Sequence, residues 1–200
     1  MNQPDWAVLP FLGSRNYLHG TTLYRHLCGL VPTDSAVCFR ITNVIRSNRV
    51  RVWSSADDGA PANTSARLDW SCIDGRSGIM LVEEGDLEQP LNREAYDEAF
   101  IVSDSAIEGK VIRYHGESPF DTVATAVPMF KAILKANDLT PSSGGQWMFT
   151  RLDACRIHQG AASIELLLEQ ARPRFVAKCS VLVNDKSTGS MYFSWVKLPA

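Results

Sequence analysis

Apolar residues follow two rhythms along this chain, one of period two and one near 3.6. From Ser35 to Ser54, short apolar and β-branched runs alternate with polar residues and break at Arg46-Ser47-Asn48-Arg49, which predicts strand, turn and strand. The polar stretch Asp57 to Asn63, with its Gly and Pro, predicts a loop. Ala66 to Val82 predicts a hairpin turning at Asp74-Gly75-Arg76-Ser77-Gly78. Farther on, Gln146 to Ile157 and Ser163 to Gln170 read as strands, and Phe175 to Val183 pairs with Ser190 to Leu198 across Asn184 to Gly189. Phe100-Ile101-Val102 and Val111 to Tyr114 suggest one more strand pair. Glu83 to Asp97, acidic and turn-rich, reads as a connection with a short helix at Arg93 to Glu98.

The helical rhythm occurs twice, each time ahead of a set of strands. Ser118-Pro119-Phe120-Asp121 is a start signal with Ser as cap, and Val123, Val127, Phe130 and Leu134 then form one apolar stripe. Pro128 interrupts the stripe, at a cost of about 3 kcal/mol in an ordinary helix interior. This predicts a firm helix over 128–137 with 119–127 as an approach segment. The earlier counterpart, Thr21 to Leu27, is shorter.

The two strand sets match each other. Ala36-Val37-Cys38-Phe39-Arg40-Ile41 lies over Trp147-Met148-Phe149-Thr150-Arg151-Leu152 at an offset of 111 (151 − 40), and the same offset pairs Arg67 with Lys178, Asp74 with Asp185, Gly78 with Gly189 and Met80 with Met191. The expectation is a duplication: residues 1–84 as a first repeat, 85–99 as a linker and 100–200 as a second.

With 200 residues and 45% hydrophobic content, the chain can bury a sizeable core. A net charge of −2 and scattered Lys and Arg give no footprint for a nucleic-acid backbone. The five cysteines make an odd count without a Cys-x-x-Cys pair and read as buried free thiols of a reducing compartment. No basic-then-apolar leader and no run of about 18 apolar residues occurs, so a cytoplasmic location without a membrane span is expected.

A helix followed by an antiparallel meander, twice in 200 residues, resembles the hotdog superfamily in its tandem, double-hotdog form. The residues carrying the resemblance are the Ser118 to Asn137 helix and the long strands from Trp147 to Leu198. The resemblance implies an α+β fold in which one continuous sheet wraps two central helices. It also implies acyl-CoA or acyl carrier protein as substrate or ligand, acyl-thioester hydrolysis or 3-hydroxyacyl dehydration as the activity, and no cofactor. The dehydratase signature, a histidine with Gly and Pro at fixed spacing, is not met: His115 is followed directly by Gly116, with Pro119 and Pro128 beyond.

Candidate chemistry centres on two similar tags, Arg15-Asn16-Tyr17-Leu18-His19-Gly20 and Arg113-Tyr114-His115-Gly116. Their offset is 96 (115 − 19), not 111, so the two registers disagree. A His-Gly pair at a helix start has a use: free backbone N–H groups and the helix dipole polarise a thioester carbonyl, glycine permits close approach, and the imidazole serves as base. On this reading His19 and His115 are the catalytic candidates. Gly20, Gly116, Arg15, Arg113 and Tyr17 are substrate-binding candidates, the arginines toward a phosphate of the carrier arm. The plainer reading is turn chemistry with a backbone-bonded imidazole.

His26 reads as a helix-face residue, His158 as a hairpin turn, and Asp34, Asp153 and Glu165 as solvated carboxylates or acid partners. No metal-ligand spacing, phosphate loop or Gly-x-Ser-x-Gly elbow is present. Two alternatives stay open: an acyl-ligand or partner-binding module with a degenerate site, and a small-ligand β-barrel. Tyr192, Phe193 and Trp195 on the last strand leave room for a homodimer.

Overall fold

The period-two segments build an antiparallel sheet in each of two units, Met1–Tyr96 and Asp97–Ala200. The computed structural model describes residues 4–55, 57, 59–141, 144–155, 163–172 and 175–197, so His158 lies outside the described residues.

The first unit contains β1 (Trp6–Val8), β2 (Phe11–Leu12), α1 (Gly20–Cys28), β3 (Ala36–Ile41), β4 (Arg49–Ser54), β5 (Ala66–Ser71), β6 (Ser77–Glu84) and β7 (Arg93–Glu94). Five of these strands form an antiparallel sheet in the order β1-β4-β6-β5-β3. On β3, Val37 and Phe39 are buried while Arg40 between the strand's apolar positions is exposed, the alternation expected of a half-covered sheet. Helix α1 covers the buried side: Tyr24 meets Phe39 edge-on at 5.6 Å, with Leu23 and Leu27 buried beside it. Outside the sheet, β2 and β7 make a short parallel pair, Phe11 to Arg93 and Leu12 to Glu94.

The second unit contains α2 (Glu98–Ser103), β8 (Ser105–Glu108), β9 (Val111–His115), α3 (Thr122–Ala136), β10 (Gln146–Ala154), β11 (Ser163–Arg172), β12 (Val176–Val183) and β13 (Lys186–Val196). Its sheet runs β8-β9-β11-β12-β13-β10, antiparallel throughout. Phe130 of α3 packs edge-on against Phe193 of β13 at 4.5 Å, and Phe149 of β10 closes on the same ring at 5.9 Å. The β12–β13 turn is the two residues Asn184 and Asp185, at φ 49° and 62°, the mirror-image turn whose twist suits a hairpin.

Several sequence expectations are corrected. Phe100-Ile101-Val102 is helical, because the Asp97 carboxylate caps α2 by accepting from the Ala99 and Phe100 N–H groups; the strand paired with β9 is β8. Arg93 and Glu94 are strand rather than helix. Helix α3 runs unbroken through Pro128 and starts at Thr122, capped by Asp121 instead of Ser118, whose hydroxyl bonds Thr125. The proline is tolerated because Val127, Met129, Phe130, Ile133 and Leu134 are fully buried. At about 1.5–3 kcal/mol per buried side chain, their burial outweighs the lost hydrogen bond. Of the cysteines, Cys155 is exposed and Cys38 partly so; Cys28, Cys72 and Cys179 are buried thiols. Phe193 is core, while Tyr192, beneath Arg151 at 4.8 Å, and Trp195, packed on Trp147, stay half-buried.

The offset of 111 holds in chain order and fails in sheet order. It superposes β3 on β10, and β5–β6 on β12–β13. Yet β5 lies beside β3, whereas β13, not β12, lies beside β10. Connection length accounts for the difference. β11 ends at Arg172 and β12 begins at Val176, so the chain can only turn back beside the strand it left. Residues 55–65 separate β4 from β5, enough for β5 to cross to β3 and for β6 to return between β5 and β4.

Candidate functional site

The approach to α1 is fixed by backbone contacts. Leu18 N–H donates to the Ile45 carbonyl at 2.8 Å, and Gly13 N–H, at φ 58°, donates to the Glu94 carbonyl at 2.9 Å. The Arg93 guanidinium donates to the Gly13 and Arg15 carbonyls at 2.9 and 2.7 Å, and Arg25 of α1 pairs with Glu94 at 2.8 Å. Residues 11–19 are thus tied to β7, which places Tyr96, two positions beyond that strand, against the start of α1.

His19 is the N-cap residue of α1, with extended backbone (φ −72°, ψ 137°), and its side chain does not cap the helix. The residue is 4% exposed, and its Nδ1 lies 2.7 Å from Thr21 Oγ1. Tyr96 and Tyr17 flank it, with centroids at 5.6 and 6.5 Å, and Arg15 extends the stack 5.3 Å over the Tyr96 ring. Gly20, Thr21 and Thr22 form the first turn, whose N–H groups have no intrahelical acceptor by the geometry of any helix start. Thr22 carries a buried hydroxyl that has no hydrogen-bond partner among the described residues. A buried imidazole, a helix end not capped by its own side chain and a positive dipole suit an electron-rich oxygen. The structure therefore gathers Arg15, Tyr17, His19 and Gly20 in one place.

The second tag is built differently. Arg113 and His115 are on β9, and His115 and Gly116 are exposed at the strand's end. The Arg113 guanidinium is held by Glu165 at 2.5 Å and Glu108 at 3.3 Å, bonds that raise its proton affinity further. The helix begins six positions later than Gly116, at Thr122, and Asp121 occupies its N-terminus by accepting from Ala124 N–H at 2.8 Å. Measured from the two caps the offset is 102 (121 − 19), neither 96 nor 111. The position matching His19 at the head of α3 is thus Asp121, not His115.

The remaining candidates serve elsewhere. Asp153 forms a fork with Arg151 at 2.6 and 2.9 Å, and Glu165 holds Arg113. Asp34 approaches the Cys72 thiol at 3.9 Å. His26 is half-buried on the last turn of α1, where burial lowers its pKa. Two site residues escaped the sequence reading. Thr21, two positions past the histidine on a helix start, was legible in principle; Tyr96, distant in sequence, carried no signal. Among the described residues no group of three or more His, Cys, Asp and Glu side chains could hold a metal ion, and no helix is long and apolar enough to cross a membrane.

No protein-family model matches the sequence, and no curated protein matches it. Solved structures do resemble it. The dehydratase domain of PpsC from Mycobacterium tuberculosis, in complex with C12:1-CoA, is similar over 90% of this chain and 85% of that one, with 10% identity and a TM-score of 0.50. A candidate thioesterase II of Thermobifida fusca YX covers 92% of this chain and 89% of its own, at 9% identity and a TM-score of 0.48. A candidate oleoyl thioesterase of Lactobacillus plantarum covers 99% and 97%, at 12% identity and a TM-score of 0.43. At such identities a likeness bears on fold alone.

Proposed function

We propose that this chain, whose fold is the hotdog fold of the dehydratase domain it resembles, binds an acyl thioester at the start of α1 and acts on it there. The observation that carries the reading is His19: a buried imidazole at the head of a helix that its side chain leaves uncapped, beside Thr21 and between two tyrosines. A thioester carbonyl seated over the first turn meets the N–H groups of Gly20, Thr21 and Thr22, and charge developing on its oxygen is stabilised by donors already in place. The buried His19 ring adds a group able to donate to that oxygen or to move a proton at the neighbouring carbon or water. Tyr17 and Tyr96 hold the ring. Arg15, stacked on Tyr96, is a cation close enough to this end of the helix to meet a phosphate on the carrier arm. The reaction class is hydrolysis of the thioester or dehydration of a 3-hydroxyacyl group, with acyl-CoA or acyl carrier protein as carrier.

The test is a panel of acyl-CoA and acyl-carrier thioesters, read by thiol release and by mass analysis of the acyl product. Turnover that collapses in His19→Ala supports the proposal. A bound acyl species that is never processed makes the chain a ligand-binding module instead. The absence of both turnover and binding removes the reading.

A further inference from the structure

Arg93 of β7 spends one nitrogen of its guanidinium on the backbone of the loop that carries Arg15. Both hydrogens of Nη1 are taken, by the Gly13 carbonyl at 2.9 Å and the Arg15 carbonyl at 2.7 Å. The group also lies over the ring of the buried Phe11 at 5.7 Å. A guanidinium carries five N–H donors, so three remain, on Nε and Nη2, and these have no partner among the described residues. Nε and Nη2 make up the side of the group that grips two oxygens of one phosphate at once. The residue is exposed, and among the described residues no carboxylate neutralises it, because the adjoining Glu94 is paired with Arg25 at 2.8 Å. An arginine already fixed in this way has little side-chain freedom left to lose on binding. Arg113 of the second tag is the opposite case, its guanidinium held by Glu165 and Glu108.

Arg15 comes close to the same spot. Its Nη1 lies 3.7 Å from the point where a Cβ on Gly13 would stand, so the two guanidinium groups flank Gly13. We propose that Arg93, anchored on the Gly13 and Arg15 carbonyls, is a phosphate-binding residue that acts with Arg15 on the pantetheine arm of the carrier. The assignment rests on the thioester reading of the α1 site and extends it outward. Contacts lead from the buried His19 ring to Tyr96 at 5.6 Å, from Tyr96 to Arg15 at 5.3 Å, and from the Arg15 carbonyl to the exposed Arg93. The ligand chemistry is the phosphate that CoA and a loaded carrier protein share.

The test compares 4′-phosphopantetheine with pantetheine, which differ only in the phosphate, by calorimetry at low ionic strength. The wild-type chain is expected to bind the first about tenfold more tightly or better. Arg93→Ala should lose about tenfold on 4′-phosphopantetheine and leave pantetheine within about twofold. Arg93→Lys, which keeps the charge without the fork, should recover only part of the loss. Equal affinity of the wild type for the two probes overturns the assignment. So does an Arg93→Ala loss of the same size on both, the pattern that mere loosening of residues 13–15 would give. With a turned-over thioester, Arg93→Ala should raise KM about tenfold for acyl-4′-phosphopantetheine with kcat little changed, and leave acyl-pantetheine unaffected. A loss confined to acyl-CoA, or to the carrier-protein thioester, supports the site and tells which of the two supplies the phosphate. The binding probes contain no thioester, so failure of the phosphate site and failure of the thioester reading are told apart.

Discussion

Replacing Asp121 with alanine removes the carboxylate that closes the N-terminus of α3, and the structure separates two contributions to the loss. The carboxylate accepts from Ala124 N–H at 2.8 Å, a cap worth about 1 kcal/mol, with a range of about 0.5–2. Its negative charge also sits at the positive end of a fifteen-residue helix, worth about 0.3–1 kcal/mol more. Asp121→Ala should therefore cost about 1–3 kcal/mol. Asp121→Asn, which caps about as well without the charge, should cost less than about 1 kcal/mol. In a chain of this size each kcal/mol moves the melting temperature by about 2–4 °C, so the two variants should be resolved by calorimetry or by tryptophan fluorescence in urea. Equal losses in both variants, or no loss in alanine, would refute the assignment of Asp121 as cap and with it the register that sets Asp121 opposite His19.

Gly189, at φ +151°, lies where a Cβ would come within 1.9 Å of the Asp153 carbonyl oxygen on β10, so Gly189→Ala should lower the unfolding free energy measured in urea by more than about 1 kcal/mol, whereas Gly59→Ala, also at positive φ (+89°) but with open space around its Cβ site, should cost less. Burial lowers the His26 pKa, so the unfolded chain binds more protons below the ordinary imidazole value near 6.5; stability should fall as pH drops through that value and below, and His26→Gln should flatten the slope of urea midpoint against pH. Native protein treated with a thiol-specific disulfide reagent should react first at exposed Cys155. Cys179, buried and with its ionisation suppressed by that burial, should react only after unfolding, and fast native labelling of Cys179 would contradict its place in the core.

The elements that were legible in the sequence are those whose pattern is local. The stripe of Val123, Val127, Phe130 and Leu134 and the alternation along Val176–Val183 each report one buried face, and the structure buries those faces. Phe100-Ile101-Val102 misled because a β-branched apolar run fits strand and short helix alike; the deciding signal was the capping Asp97 ahead of it. Ser118 and Asp121 are both cap-forming residues, and only the Ser118–Thr125 bond shows which one is spent elsewhere. Sheet order lay beyond the pattern altogether. Identical alternation serves a hairpin placed either way round, and the choice was made by the lengths of the connections after β4 and β11. At the site, the His19-Gly20 pair stood out because it opens a helix, while Tyr96 reaches the ring only through the pairing of β2 with β7.

The most direct test is the steady-state kcat/KM of the wild-type chain on its best acyl thioester, beside His19→Ala and His115→Ala. The proposed role of His19 predicts a loss of about 10²–10⁴-fold for His19→Ala, the usual range for removing a proton-transfer or donor group, and a change within about twofold for His115→Ala. Undiminished turnover in His19→Ala would contradict the account.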